Sequence, residues 1–149
     1  MENADRYRGQ QGQSELVAVR EREHERCFVC DPDNPAGLGL QFQTCADGCV
    51  IAAFSCADVF HGYPHYLHGG VTSSLLDGAM TNCLFARGVV AVTAELSIRF
   101  MHPVVIDRQA HVKAWLEKNY SPLHLLRAEL VQDGKVLVTA SAKFMEFEE

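Results

Sequence analysis

One helical segment of this chain is apolar over most of its circumference, so other parts of the molecule must cover it. The segment extends from Val71 to Arg87 and is followed by Gly88, a residue type common just beyond helix C-termini. Its apolar positions are Leu75, Leu76, Ala79, Met80, Cys83 and Leu84. A helix with so broad an apolar surface lies mostly inside a domain, which means that the rest of the chain has to form its cover.

Most of the remaining chain shows the period-two alternation of apolar and polar residues that is typical of strands. Each alternating segment has one apolar and one mostly polar face, which favours an antiparallel sheet covered on one side. Asp133-Gly134 predicts a hairpin turn between the last two strands. We therefore predict an α+β fold in which a curved antiparallel sheet of about six strands wraps one long central helix. The predicted strands are 38–43, 49–55, 92–100, 110–117, 126–131 and 136–144.

The residues before the sheet predict an extra N-terminal helix and a loop. Strong helix formers follow Ser14 as far as about Arg26, which predicts a helix there. The polar residues 1–13 predict a flexible tail, and residues 14–149 a single domain. Proline and glycine interrupt residues 27–40, so we expect a loop in that segment.

Charge and hydropathy argue against several classes of function. The formal net charge of −6 disfavours nucleic-acid binding through a general basic surface. The longest uncharged stretch, residues 38–57, is polar through its middle and predicts no membrane span. The N-terminus lacks the apolar core of a secretory signal, so we expect a cytoplasmic protein whose six cysteines are reduced.

The start of the apolar helix carries the first candidate site. A loop with His61, His65 and His68 runs into Gly69-Gly70 and directly into the helix. Glycines at a helix N-terminus leave backbone N–H groups open to a ligand oxygen, and the helix dipole adds positive potential. These are the components of an oxyanion hole. The alternative is a flexible helix start in which the glycines serve only the backbone angles.

Asp77 is the second candidate, because apolar residues of the same helix flank it. A buried carboxylate is costly unless it is paired or used, although an exposed Asp or a structural hydrogen bond remains an alternative. Asp77 follows Gly69 by eight residues, or roughly 12 Å of helix. An oxyanion donor and a general base must both lie within about 3 Å of one reacting centre. If both groups act together, Gly69 of one chain must face Asp77 of a second, antiparallel copy.

Three sequence motifs resemble those of a known family. HGGVTSSLLDGAM (68–80) resembles the helix-start motif of hotdog-fold acyl-CoA thioesterases of the PaaI-like branch. AVTAELSIRFMHPV (91–104) is similar to the strand that follows in that branch, and CFVCDPDNPAGLGLQF (27–42) to a segment of many related bacterial proteins. The resemblance extends from about Cys27 to the C-terminus.

The resemblance implies a hotdog fold and a hydrolase that cleaves a fatty or aromatic acyl-CoA thioester across a dimer interface. It implies that the Gly69 N–H polarises the thioester carbonyl, that His68 shapes the loop, and that Asp77 acts as general base or nucleophile. Thr93 corresponds to the hydroxyl residue that orients the water, unless it is an ordinary strand residue. The implied partners are acyl-CoA and a second chain, in a homodimer or a dimer of dimers. No cofactor, metal, membrane or nucleic acid is implied.

One position departs from the family pattern. Related enzymes often carry Asn or Gln six residues before the histidine of His-Gly-Gly, and this chain has Gly62 there. His61 or His65 could supply the polar contact and Gly70 a further substrate contact, although either histidine is alternatively a solvated loop residue. The departure keeps a second hypothesis open, a non-catalytic acyl-CoA-binding or lipid-binding hotdog protein. A hotdog hydratase is disfavoured, because no second acid–base pair flanks the helix.

Four cysteines approach a zinc-binding pattern. Cys27-x2-Cys30 is followed by Cys45-x3-Cys49, and the gap between the two pairs is slightly shorter than usual. The alternative is that all four are ordinary buried or surface thiols.

Overall fold

Two helices and six strands make up the computed structural model, which describes residues 2–147, with side chains from residue 9 onward. A single 3-10 turn, Asp58–Phe60, precedes the loop that leads into the second helix. Neither described helix is long and apolar enough to cross a membrane. The elements in chain order are α1 (Glu2–Glu23), β1 (Gln43–Thr44), β2 (Val50–Ser55), α2 (Gly69–Phe85), β3 (Ala91–Phe100), β4 (Gln109–Tyr120), β5 (Leu123–Gln132) and β6 (Lys135–Glu146).

The six strands form one antiparallel sheet in the order β1-β2-β4-β5-β6-β3, with β1 and β3 at its edges. α2 packs against four of these strands, β2 to β5, so the sheet wraps around the helix. Asp133 and Gly134 have φ angles of 53° and 75°, as a two-residue hairpin turn between β5 and β6 requires. The predicted α+β architecture, with an extra N-terminal helix, is confirmed.

α2 is buried along most of its length and also contacts the loop that follows α1. A Cβ built on Gly78 would lie 2.5 Å from Val29 Cγ1, so only glycine lets the loop close on the helix at this point. The completely buried apolar side chains of α2 include Leu75, Leu76, Ala79, Met80 and Cys83. The prediction that this helix forms the centre of the domain is confirmed.

α1 begins earlier than the sequence predicts. The predicted start is Ser14, but the helix already runs from Glu2. Glycine lowers helix stability by about 1 kcal/mol relative to alanine, which is why Gly9 and its neighbours favoured a tail. Thr44 Oγ1 donates a 2.8 Å hydrogen bond to the Gly9 carbonyl and ties this part of the helix to β1. The division of the chain into a tail and a domain at Ser14 stays a prediction.

β1 is shorter than the strand predicted over residues 38–43. The backbone N–H groups of Leu38 and Leu40 donate to the carbonyls of Phe28 and Val29, at 2.7 and 2.8 Å. Only the two residues of β1 pair with β2. Residues 38–42 alternate because one side of this segment is buried. Their backbone pairs with the loop residues Phe28 and Val29 rather than with a strand of the sheet.

The expectation of six reduced cysteines is wrong, because Cys45 and Cys49 form a disulfide across the turn between β1 and β2. The four remaining cysteines are free: Cys27, Cys30, Cys56 and Cys83. The disulfide leaves the second pair of the four-cysteine zinc pattern without thiolates. A cytoplasmic location stays a prediction.

Glu146 determines a part of the acid stability of the fold. Its Oε1 lies 2.6 Å from Nε2 of the buried His124 and accepts a 2.9 Å hydrogen bond from Ser121 Oγ. These two contacts hold the pKa of the Glu146 carboxyl below its usual value. A carboxyl whose pKa is lowered by folding stabilises the fold above its unfolded pKa. This contribution is lost as the pH falls through the folded pKa.

We therefore expect Glu146→Gln to lower the urea midpoint of unfolding at pH 7, and the difference from wild type to shrink below about pH 4. Glu129→Gln, on the outer face of the same sheet, is the matched control and should leave the midpoint nearly unchanged. An equal loss at both pH values would contradict the role assigned to the Glu146 charge.

Candidate active site

His68 caps the N-terminus of α2 through its ring. The residue has extended backbone angles, with φ −60° and ψ 132°, and its Nδ1 accepts a 2.8 Å hydrogen bond from the Gly70 N–H. Because Nδ1 is the acceptor, the neutral ring carries its proton on Nε2. The first turn of the helix thus fixes the orientation of a ring that keeps one N–H donor.

Gly69 offers the free backbone N–H at this end of the helix. Its N–H has no acceptor among the residues that the structure describes, whereas the Gly70 N–H is taken by His68. The sequence predicts that both glycine N–H groups are open to a ligand. Among the described residues, the Gly69 N–H is open, but the Gly70 N–H is already hydrogen-bonded. The Phe100 ring lies 3.7 Å from where a Cβ on Gly69 would stand, and it forms an apolar wall beside the free N–H.

Asp77 and Thr93 meet between α2 and β3. Thr93 Oγ1 donates to Asp77 Oδ1 at 2.6 Å, a length typical of a hydrogen bond to a charged group. Asp77 Oδ2 accepts no hydrogen bond from the described residues. Asp77 is half-buried. The carboxylate that the sequence predicts to be enclosed is therefore partly open in the single chain.

A β-bulge in β3 turns Thr93 toward α2. Thr93 lies opposite Phe144 and Leu96 opposite Ala142, and both partners are buried on the helix-facing side of β6. Under strict alternation Thr93 and Leu96 would point to opposite faces of the sheet. The register shifts at Ala94, which puts both side chains on the same face. Bulges beside active sites commonly redirect a side chain in this way.

The two candidate groups lie apart on one chain. Gly69 and Asp77 are separated by eight residues of α2, or roughly 12 Å of helix. One substrate carbonyl cannot lie within about 3 Å of both. Each chain therefore carries two separate candidate half-sites. One is the helix N-terminus with His68, and the other is the Asp77–Thr93 pair.

The helix-facing side of β3 is largely exposed in the single chain. Leu96 and Phe100 on this side remain 37% and 53% exposed. The alternating pattern of β3 predicts a covered apolar face, but the described elements leave this part of the edge strand open. An apolar edge strand of this kind is a surface on which another chain can pair.

His61 and His65 lie in the exposed loop before α2. His61 Nδ1 is 2.5 Å from the Asp58 carbonyl oxygen. His65 has a left-handed φ of 72°, and its carbonyl accepts the Ile106 N–H. Within the described residues, no hydrogen bond joins either imidazole to the start of α2. Substrate contact by these histidines and by Gly70 stays a prediction.

Gly62 packs directly against the capping histidine. A Cβ on Gly62 would lie 3.2 Å from His68 Cα and 3.3 Å from His68 Cδ2, tighter than ordinary contact. The loop of this chain therefore leaves little room for the Asn or Gln that related enzymes often carry at this position. The departure from the family pattern follows from how closely the loop approaches His68.

Comparison with known proteins identifies the family. Residues 65–141, just over half of the chain, match the thioesterase superfamily. The chain belongs to this superfamily. The matched residues include the N-terminus of α2, Asp77 and Thr93, whereas α1 lies outside the match.

Individual relatives support the same assignment. Acyl-coenzyme A thioesterase THEM4 of Rattus norvegicus is 28% identical over 85 residues, which are 55% of this chain and 36% of that protein. The chain thus spans about a third of the length of this curated relative.

Solved structures share the fold. The Escherichia coli PaaI protein from the phenylacetic acid degradation operon is 17% identical with a TM-score of 0.77, over 94% of this chain and 96% of that one. A hypothetical thioesterase from Streptococcus pneumoniae, solved with coenzyme A, is 16% identical with a TM-score of 0.68, over 74% of this chain and 90% of that one. The predicted hotdog fold is confirmed.

Proposed function

We propose that this protein hydrolyses acyl-coenzyme A thioesters at a composite site formed by two copies of the chain. The observation that carries the proposal is the 2.6 Å hydrogen bond from Thr93 to the half-buried Asp77, in a candidate half-site to which the part of the chain described by the structure brings no oxyanion donor. Membership of the thioesterase superfamily supports the reaction type. The named activity of the rat relative and the coenzyme A in the S. pneumoniae structure support acyl-CoA as the substrate.

In this proposal the helix N-terminus of one copy holds the thioester carbonyl oxygen. The Gly69 N–H and the His68 Nε2–H are its two donors. Negative charge develops on the oxygen as water attacks the carbonyl carbon, and a fixed N–H at a helix N-terminus stabilises that charge. One donor of this kind contributes about 100- to 1,000-fold in rate.

Asp77 of the second copy takes the proton of the attacking water. The Thr93 hydroxyl donates its hydrogen bond to Asp77 Oδ1. The lone pairs of the Thr93 oxygen and of Asp77 Oδ2 therefore remain free to accept hydrogen bonds from the water. Attack forms a tetrahedral intermediate, and its collapse breaks the carbon–sulfur bond. The departing thiolate of coenzyme A takes the proton from Asp77, which releases a free acid and coenzyme A. No step needs a cofactor.

Two antiparallel copies joined beside β3 would bring the half-sites together. A two-fold axis next to α2 places Gly69 of one helix opposite Asp77 of the other, and does so twice. Leu96 and Phe100 would then be covered and would line the site with apolar surface. Such a lining fits a fatty or aromatic acyl group. In a dimer of dimers, two such dimers would pair through the outer faces of their sheets.

Gly69→Pro removes the proposed oxyanion donor with little other change. Gly69 is the first residue of α2, where proline is well accommodated, and the extended backbone of His68 suits a residue before proline. We expect kcat/KM to fall about 100- to 1,000-fold at an unchanged melting temperature. Gly69→Ala keeps the N–H and is the control. Equal losses in the two variants would indicate that the added carbons, rather than the missing N–H, reduce the activity.

Mixed dimers test whether the site is composite. Asp77→Asn and Gly69→Pro chains should each be nearly inactive alone, whereas a dimer of one chain of each kind contains one intact site. Random mixing makes about half of the dimers mixed, so about a quarter of the wild-type activity should return. No recovery in isolated mixed dimers would show that both groups act within a single chain.

Release of free thiol from a panel of acyl-CoAs separates hydrolysis from the alternative, a non-catalytic acyl-CoA-binding or lipid-binding protein. Asp77→Asn should lower kcat about 100- to 10,000-fold and retain binding. The control is Glu95→Gln, an exposed carboxylate of β3 that pairs with Lys143 at 3.5 Å. Tight binding without thiol release by the wild type would support the binding protein, and release that survives Asp77→Asn would refute the role of Asp77.

A further inference from the structure

A second cluster of chemically active side chains lies where α1 passes into the loop over residues 27–40. His24 follows the last residue of α1, and Cys27 and Cys30 lie on the turn after it. The ligand atoms of these three residues all lie within 4.8 Å of one another. The cluster differs from the four-cysteine pattern of the sequence, in which the second pair is consumed by a disulfide.

One distance within the cluster matches a tetrahedral zinc site, and all three ligand atoms are within reach of one ion. Zinc–sulfur and zinc–nitrogen bonds of about 2.3 and 2.1 Å place the sulfur and nitrogen ligands about 3.6 Å apart. His24 Nδ1 lies 3.7 Å from Cys30 Sγ. The turn is held by Asp31, whose two carboxylate oxygens accept the backbone N–H groups of Arg26 and Asp33. The ligands are therefore positioned before any ion binds.

Cys27 and Cys30 offer two sulfurs to one ion, and cysteine binds metal as the thiolate. The Val29 N–H points at Cys27 Sγ from 3.4 Å and fixes the position of that sulfur. A zinc ion between the two sulfurs would displace their protons.

Asn82 of α2 adds a buried oxygen without a partner. Its side chain is completely buried, and Nδ2 donates to the Gly78 carbonyl at 2.9 Å. The amide group of Asn82 lies against the Cys30 sulfur, and Asn82 Oδ1 accepts no hydrogen bond from the described residues. Buried polar atoms are rarely left unpaired, so this oxygen indicates a missing donor next to the Asn82 side chain.

We propose that His24 Nδ1, Cys27 Sγ and Cys30 Sγ bind one zinc ion. A water that donates to Asn82 Oδ1 fills its fourth position. Two thiolates and an imidazole are the ligands that zinc prefers, and the two negative charges balance the ion.

The zinc site would be structural. It would join the end of α1 to α2, because Asn82 and Phe85 both belong to α2, and the Phe85 ring packs edge-on against His24 at 4.8 Å. Asn82 lies about 140° around the helix from Asp77, so the ion would take no part in the thioester chemistry.

Metal analysis of the full chain, purified without a histidine tag, added metal or chelator, tests the site. We expect about one zinc ion per chain in the wild type. Cys27→Ser and His24→Ala should each lose most of it, whereas Cys83→Ala, which removes another free buried thiol, should keep it. Protein loaded with cobalt(II) should show thiolate-to-metal charge-transfer absorption that is absent from Cys27→Ser.

Several results would overturn the proposal. One is wild-type protein with neither zinc nor a cobalt charge-transfer band, and another is a Cys27–Cys30 disulfide in freshly purified protein. Zinc retained by both Cys27→Ser and His24→Ala would place the ion elsewhere. Asn82→Ala should weaken zinc affinity 10- to 100-fold, and an unchanged affinity would refute the role of its oxygen. These readouts do not depend on thioesterase activity.

Discussion

The burial of α2 is the constraint on which the rest of the structure depends. Each large apolar side chain on it contributes roughly 1.5–3 kcal/mol when fully buried, so the helix needs cover on several sides. The sheet provides one side of this cover, and α1 with the loop behind it provides another. What stays at the surface is the first turn and the strip that carries Asp77. The candidate site thus lies on the parts of the helix that the fold leaves uncovered, next to the open face of β3.

Patterns that report burial predicted most of the fold from the sequence. The apolar surface of α2 and the alternating strands after Val50 follow directly from which faces must be covered. Local signals failed where a tertiary contact decides the outcome. Gly9 favours a break in α1, but packing against Thr44 keeps the helix intact. Leu38 and Leu40 alternate as in a strand, but their backbone pairs with the loop.

Sequence patterns predicted only part of the candidate site. Motif spacing identified Asp77 and the helix start, but alternation places Thr93 on the wrong face, because Ala94 carries no signal of a bulge. Nothing in the sequence marks His24 as a candidate zinc ligand, because it lies in a charged run that is typical of a solvated helix face. Only the turn after α1 brings it to the two cysteines. The pairing of the other two cysteines cannot be deduced from their number and spacing.

The bulge at Ala94 also bears on how such chains diverge. The pairing of β3 with β6 beyond the bulge does not require the extra residue. If Ala94 paired with Phe144 instead of bulging, Thr93 would move opposite Met145, its hydroxyl would turn to the outer face of the sheet, and the buried core would stay in place. Removal of Ala94, by contrast, would keep Thr93 on the face of Leu96, because the two residues would then alternate regularly. On the proposed mechanism, a one-residue shift in the pairing of an edge strand, without replacement of any side chain, would therefore be enough to separate the hydroxyl from Asp77.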